Sequence, residues 1–344
     1  MNTTLALYSL YAVYSGMAVL ALAMIAYVSY LAGLMPTRTA AKDAARAAAE
    51  APAATRELAS VGGKPGSQTG PPAGSSAGSP PEPASAAAAP SAPEVPARAR
   101  KAAGIASMLT NLAALLVVAG AVLRGLAVHR MPLGNMYEFA LMTVSFLLVA
   151  YAAWSMRRDL RWLGFFVVAP ALLTLGLATT IWYTEASRLM PSLRSYWLVI
   201  HVTIATLTVA LFAIGAVLAG LYLWQDRVER AGKPSLLNRF PTSRALEKLT
   251  YQVHVIAFPL WTFTVIAGAI WARQAWGSYW NWDPKEVWSF VIWVVYAAYL
   301  HARVTSGWRR QNAALIALAG FACIIINYAV VNVYFVGQHS YSGL

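Results

Sequence analysis

The feature that most constrains this chain is a series of apolar runs, each long enough to cross a bilayer as a helix. We place these runs near residues 5–33, 105–123, 139–156, 162–182, 197–224, 251–272, 287–302 and 312–335. A transmembrane helix needs about 20 predominantly apolar residues. The strict alternation that a membrane β-barrel requires is not the dominant pattern. The sequence therefore predicts an all-α polytopic membrane protein, with a bundle of about 8 transmembrane helices.

The charged residues support this class and predict an orientation. Only 11% of residues are charged, about half the share in a soluble domain. The net charge of +13 invites a nucleic-acid interpretation, but the placement of the charges argues against it. Most of the 26 basic residues fall in alternate loops, at 38–101, 157–161, 227–248 and 303–310. Basic loops face the cytoplasm, so we expect both termini to be extracytoplasmic.

The chain divides into three parts by composition. Residues 1–35 form the first transmembrane helix, which lacks a basic segment before it and is therefore expected to be retained rather than cleaved. Residues 36–104 are rich in Ala, Pro, Gly and Ser and predict a disordered cytoplasmic linker. Residues 105–344 hold the remaining spans and every motif to which we can assign chemistry.

A tryptophan loop, residues 276–286, joins two of the apolar runs and is expected to face outside. Its sequence is Trp-Gly-Ser-Tyr-Trp-Asn-Trp-Asp-Pro-Lys-Glu, with Trp276, Tyr279, Trp280, Trp282 and Asp283. An interfacial aromatic belt explains one or two such rings. It does not explain three tryptophans close to Gly277, Pro284 and two carboxylates. A dense aromatic surface suits a large flat apolar ligand, and haem is the obvious candidate.

This loop resembles the tryptophan-rich WWD segment of the CcsA/ResC family (also called CcsB), which handles haem in System II cytochrome c biogenesis. A second patch, with Pro132, Asn135, Tyr137 and Glu138, is also similar to the family. The resemblance covers about residues 105–344. It implies handling, presentation and export of haem b for covalent attachment to apocytochrome c. The chain would then be one subunit of a thioether-forming holocytochrome c synthase complex, in the lyase class.

The five histidines differ in depth, and neutral imidazole is a common haem ligand. His201 lies about one turn inside the outer end of the fifth span, and His339 follows the last span. The resemblance implies that these two ligate one iron beside the tryptophan loop. It also implies a ligand at His301, about 22 Å into the membrane by helical rise. His129 is a weaker candidate, and His254 is expected to be solvated or snorkelling at the cytoplasmic end of its span.

Partner proteins are predicted in part from residues that this chain lacks. No other histidine is expected deep in a span, so the second ligand at the level of His301 should come from another subunit. The resemblance supplies a Ccs1/ResB-type membrane protein. Cys323 is the only cysteine and lies within the last span, so dithiol chemistry belongs elsewhere. The expected substrate is an apocytochrome c with Cys-x-x-Cys-His, kept reduced indirectly by a thiol-reducing protein.

Charged residues near the tryptophan loop have two expected roles. The cations that could bind haem propionates are Arg124, Arg130, Arg273 and Lys285. Asp283 and Glu286 cannot bind propionates while ionised, and are expected to orient these cations or the loop backbone. Three other functions remain open: a System I-type haem delivery or export subunit, a bis-histidine membrane redox protein, and a transporter or scaffold without haem. The expected location is the bacterial plasma membrane.

Overall fold

The computed structural model describes residues 2–35, 95–187, 194–232 and 235–339. Every regular element within these ranges is helical, and eight of the helices are long and apolar enough to cross a membrane. The prediction of an all-α polytopic bundle is therefore confirmed. The location of both termini on the extracytoplasmic side stays a prediction.

The eight helices are close to the predicted spans but longer at several ends. They are α1 (Thr3–Leu34), α2 (Ala97–Val128), α3 (Met136–Ser155), α4 (Arg161–Thr180), α5 (Tyr196–Ala231), α6 (Ser243–Trp276), α7 (Pro284–Val304) and α8 (Arg310–Tyr334). A short 3₁₀ turn, Leu236–Arg239, precedes α6. Helix α2 begins inside the segment that we predicted as linker, and residues 36–94 of that segment lie outside the described residues.

Small residues let the first two helices pack closely. A Cβ on Gly120 would lie 2.7 Å from Val13, and one on Gly16 would lie 2.8 Å from Val117. The Ser9 hydroxyl donates to the Gly120 carbonyl over 2.7 Å. Such small-residue contacts are the usual way for helices to associate in lipid, where apolar burial alone gives little driving force.

The loops at the end of the bundle that carries the tryptophan loop meet in two pairs. Arg130, between α2 and α3, donates to the carbonyl of Ser187, between α4 and α5. The tryptophan loop bonds the tail after α8, because the amide of Gln338 donates to Asp283 over 2.5 Å. This end of the bundle, where the tryptophan loop meets the tail, holds the candidate site.

The last helix changes its winding as it approaches this end. Residues Ile326–Val331 form a π-helical stretch within α8. Inserted π turns are rare and occur often at functional sites. Here the stretch and the turn after it bring Asn327, Tyr328 and Asn332 to the wall of a cavity. The Tyr328 hydroxyl also donates to the carbonyl of Met136 over 2.7 Å, which ties α8 to α3.

Candidate functional site

The tryptophan loop is held by the cap of the helix that follows it. Asp283 is the N-cap of α7, Pro284 occupies the first turn, and Glu286 completes a capping box. The Glu286 Oε2 atom accepts from the amides of Asn281 and Asp283 over 2.8 and 3.2 Å. This Asp-Pro-Lys-Glu order is a strong local signal for a helix start. Both carboxylates therefore bond the loop backbone, which is one of the two roles that the sequence analysis left open for them.

Asp283 also holds His339, a role that sequence reasoning did not anticipate. The Nδ1–H of His339 donates to Asp283 Oδ1 over 2.8 Å. Burial raises the pKa of Asp283, but hydrogen bonds from His339 and from the amides of Lys285 and Gln338 outweigh it and hold the pKa below the ordinary 3.8. A carboxylate on Nδ1 orients a ligating imidazole and places the lone pair of the neutral ring on Nε2.

His201 is oriented in a similar way from the neighbouring helix. Its Nδ1 lies 2.9 Å from the carbonyl oxygen of Thr264 in α6, and because a carbonyl only accepts, Nδ1 carries the proton. The ring lies against Gly268, where a Cβ would come within 2.7 Å of its Cε1 atom. Glycine at this position therefore makes the room for the imidazole, and the lone pair resides on Nε2.

Trp271 lies between the two histidines and was missed by the sequence analysis. Its ring is nearly parallel to His201, with centroids 6.0 Å apart, and meets His339 edge-on at 5.8 Å. The side chain is 2% exposed, and its Nε1 has no hydrogen-bond partner among the described residues. The sequence analysis placed Trp271 within the span at 251–272 and assigned it no role.

A cavity of about 500 Å³ opens beside these rings and runs down into the bundle. Its upper wall includes His201, His339, Tyr279 and Trp280, and its lower wall is apolar and reaches Trp261. The volume falls in the range of pockets for small molecules and cofactors, and the mostly apolar lining with a few polar groups is typical of them. The two histidines are therefore brought together at the mouth of one cavity.

The other two tryptophans of the loop lie outside the cavity lining. Trp276 packs edge-on against Trp271 and His339, with ring centroids 4.7 Å away in both cases. Trp282 is 77% exposed, adopts a positive φ of 57°, and meets Trp280 edge-on at 5.9 Å. Trp276 thus packs against His339, and Trp282 is exposed on the surface of the loop.

His301 lies far from this cavity, in the last turn of α7. Its side chain is exposed on the surface of the chain, and its Nε2 lies 3.5 Å from the Thr305 hydroxyl. The sequence analysis had treated it as buried within the bundle. An exposed imidazole near the end of a transmembrane helix faces water, lipid or another subunit, and facing the hydrocarbon is costly for a polar side chain.

His254 corrects another expectation, because it is fully buried rather than solvated. Its Nδ1 lies 2.7 Å from the Thr250 carbonyl, and its ring packs against Gly215, Phe212 and Tyr299. The prediction failed because α6 begins at Ser243, two turns before the apolar run. The ring of His201 packs on Gly268 of α6, and the ring of His254 packs on Gly215 of α5. The sequence analysis had expected no histidine other than His301 deep in a span.

The cations near the loop are not equivalent. Arg124 and Arg130 pair with the fully buried Glu138 over 2.8 and 2.7 Å, and Arg273 donates to the carbonyl of Gly277. Lys285 instead lines the cavity. His129, the C-cap of α2 with a φ of 53°, is exposed and is not part of the lining.

Comparison with known proteins shows the family of this chain. Residues 133–339, which include both histidines and the tryptophan loop, match the model of the cytochrome C assembly protein family. A cytochrome c biogenesis protein CcsA from Parasynechococcus marenigrum is 34% identical over 69% of this chain and 86% of its own length. The CcsA proteins of Chlamydomonas reinhardtii and Guillardia theta are 35% and 36% identical, over 70% and 62% of this chain and 69% and 77% of their own lengths. The chain is therefore a multi-pass membrane protein of the cytochrome c assembly family, with a role in cytochrome c biogenesis.

Proposed function

We propose that this chain binds haem b and presents it for covalent attachment to apocytochrome c at the extracytoplasmic face of the plasma membrane. One observation carries the proposal. His201 and His339 come from distant parts of the sequence, yet both line the mouth of one cavity. Each is held through Nδ1, by Thr264 and Asp283, so each neutral ring carries its lone pair on Nε2. This is the arrangement that ligating imidazoles need.

The residues around the cavity fit a haem. Two imidazoles are a common axial pair for haem iron. Trp280 and Tyr279 offer aromatic surface to a flat ring, and the deeper lining is apolar. Gly268 leaves room where any side chain would displace His201. The buried Nε1 of Trp271 is a hydrogen-bond donor without a partner among the described residues, and it lies at the same level as both histidines.

The chain contributes positioning rather than a reacting group of its own. Haem, when bound, supplies the vinyl groups that take up the two thiols of the Cys-x-x-Cys-His segment. Each addition forms a carbon–sulfur bond and moves the thiol proton to the neighbouring carbon, with no net exchange of electrons. We assign His201 and His339 to holding the iron, and the tryptophan loop to shielding and orienting the ring. No separate nucleophile is required.

His301 supports a partner subunit. Its imidazole is exposed on α7, far from the cavity, and a polar side chain in a span calls for a partner. We propose that a Ccs1/ResB-type protein covers this face and contributes the second histidine, as in a System II synthase. We propose that haem is exported from an inner site at His301 to the outer cavity. A thiol-reducing protein would act only on the apocytochrome.

The experiment that tests the proposal is an absorption spectrum of the full-length chain purified with its partner. We expect a haem b spectrum of the bis-imidazole type, and expect its outer component to vanish when His201 and His339 are replaced together. A preparation with no Soret band, from cells that supply haem, would overturn the proposal and favour a transporter or scaffold. A full spectrum from the chain alone, unaffected by His301 replacement, would favour a System I-type subunit or a redox protein without the partner.

A further inference from the structure

Lys285 is the one cationic side chain, apart from the histidines, that lines the cavity within the described part of the chain. It follows Asp283 by two residues and lies in the first turn of α7. The cavity has a mostly apolar lining, so a positive charge in its wall needs an explanation. An ammonium group without a counter-charge is costly in apolar surroundings.

The backbone of Lys285 is held, whereas its amine has no partner. The amide donates to Asp283 Oδ1 over 3.0 Å, and the carbonyl accepts from the Ser289 hydroxyl over 2.7 Å. The Nζ atom makes no hydrogen bond or ion pair with any described residue. Asp283 is occupied by amides and by His339, and Glu286 Oε2 accepts from two loop amides. Both carboxylates thus bond the loop, whereas Glu286 Oε1, whose residue also lines the cavity, has no hydrogen-bond partner among the described residues.

The other three cations that the sequence singled out are committed to the protein. Arg124 donates to Glu138 and to the carbonyl of Thr184, and Arg130 donates to Glu138 and to the carbonyl of Ser187. Arg273 bonds the carbonyl of Gly277. Of the four cations that the sequence singled out for a carboxylate ligand, only Lys285 combines a place in the cavity wall with an amine that the chain does not use.

We propose that Lys285 binds a carboxylate of the ligand, which on the proposed function is a haem propionate. The reason lies in how the ring would be held. If His201 and His339 held the iron of a porphyrin, the ring would still be free to rotate about the iron. A charge to one side that binds a carboxylate would remove this freedom. Because propionates and vinyl groups occupy different edges of haem, a propionate held by Lys285 also determines which edge meets the thiols. Lys285 is thus a positioning residue.

The test combines a change in the protein with a change in the ligand. The full-length chain with its partner is depleted of haem and titrated with haem b or with its dimethyl ester, which lacks both carboxylates. Binding is followed by the Soret band. We expect the unchanged protein to prefer haem b by about tenfold, a typical effect of one charge-assisted hydrogen bond. Lys285→Met should bind both ligands with equal affinity, and Lys285→Arg should keep the preference.

The matched control is Lys248→Met, an exposed lysine at the opposite end of α6, which should behave like the unchanged protein. An unchanged protein without preference, or a Lys285→Met variant that keeps it, would overturn the inference. If Lys285→Met fails to fold, the ester comparison on the unchanged protein and on Lys285→Arg still decides. If the unchanged protein binds neither haem b nor its dimethyl ester, that result would instead contradict the proposed function.

Discussion

His339 donates its Nδ1–H to Asp283 Oδ1 over 2.8 Å, so the residue that caps α7 also holds the histidine of the tail. This bond joins the two parts of the chain that flank α7 and α8. A substitution that removes this bond but keeps the helix cap should therefore disturb His339 more than it disturbs α7.

Asp283→Asn separates these two roles. Asn caps helices about as well as Asp, so we expect the variant to fold. The amide is a weaker acceptor than a carboxylate, so the His339 ring becomes a poorer iron donor. We expect the midpoint potential of the outer haem to rise and haem retention to fall by 10-fold or more, a typical effect of losing such a partner. Redox titration measures this, and Asp226→Asn at the other end of the bundle is the control.

The same pair predicts a pH dependence. The pKa of Asp283 is held below 3.8 in the folded protein. Its contribution to stability is therefore complete above that value, and is lost as the pH falls through the lowered folded pKa. We expect the melting temperature in detergent to depend on Asp283 at neutral pH and at pH about 5, with the difference from Asp283→Asn shrinking only below pH about 4. A difference that disappears already near neutral pH would contradict this assignment.

Replacing either His201 or His339 with Gly should abolish cytochrome c assembly and be partly rescued by added imidazole. The substitution leaves an open coordination position and a space the size of the lost ring, which a diffusible ligand can occupy. Assembly is measured by haem stain of a reporter cytochrome. His129→Gly is the control, because His129 is exposed and its positive φ suits glycine. No rescue at either position, at normal protein levels, would rule out the bis-histidine site.

Gly268→Ala should damage the outer site through a histidine that it does not replace. A Cβ there would lie 2.7 Å from the His201 ring, so the ring must shift away from the Thr264 carbonyl. We expect lower haem retention and a changed low-spin spectrum in the oxidised protein. Gly220→Ala in α5 is the matched control, because its Cβ would have no neighbour within 4 Å. Equal spectra for both variants would refute the role of Gly268.

Trp280→Ala and Trp282→Ala should differ although the residues are neighbours in the loop. Trp280 lines the cavity, whereas Trp282 is 77% exposed. Removing a ring buried against the ligand costs about 1–3 kcal/mol of binding. We therefore expect Trp280→Ala to lower haem affinity by about tenfold or more. Trp282→Ala should leave affinity within about threefold and should act, if at all, on docking of apocytochrome. Equal losses of haem affinity would favour an aromatic belt without a specific ligand.

Glu138→Gln should destabilise the chain without acting on haem directly. Glu138 is fully buried and pairs with both Arg124 and Arg130. Removing one partner of a buried ion pair costs about 3–5 kcal/mol, because the remaining charge loses its compensation. The expected result is a lower melting temperature and reduced protein levels, measured by fluorescence-detected size exclusion. Arg161→Gln, which changes an exposed pair, should have little effect.

Much of this architecture could be predicted because the bilayer imposes simple rules. Apolar runs of sufficient length predict helices, so the eight spans were identified within a few residues at most ends. The Asp-Pro-Lys-Glu signal predicts a helix start from local chemistry alone. These properties depend on residues that are close together in the sequence and on whether those residues prefer the bilayer or water. Both can be read from the sequence.

The tertiary structure decided which side chains meet. Trp271 was indistinguishable from an interfacial tryptophan until packing placed it between His201 and His339. His254 was misplaced because a helix can begin before its apolar run, and Glu247 in that first stretch pairs with Arg303 of α7. The roles of the arginines and of Lys285 could be distinguished only in the structure, where Glu138 pairs with Arg124 and Arg130. Contacts between distant segments depend on crossing angles and close approach, which single-sequence periodicity does not encode.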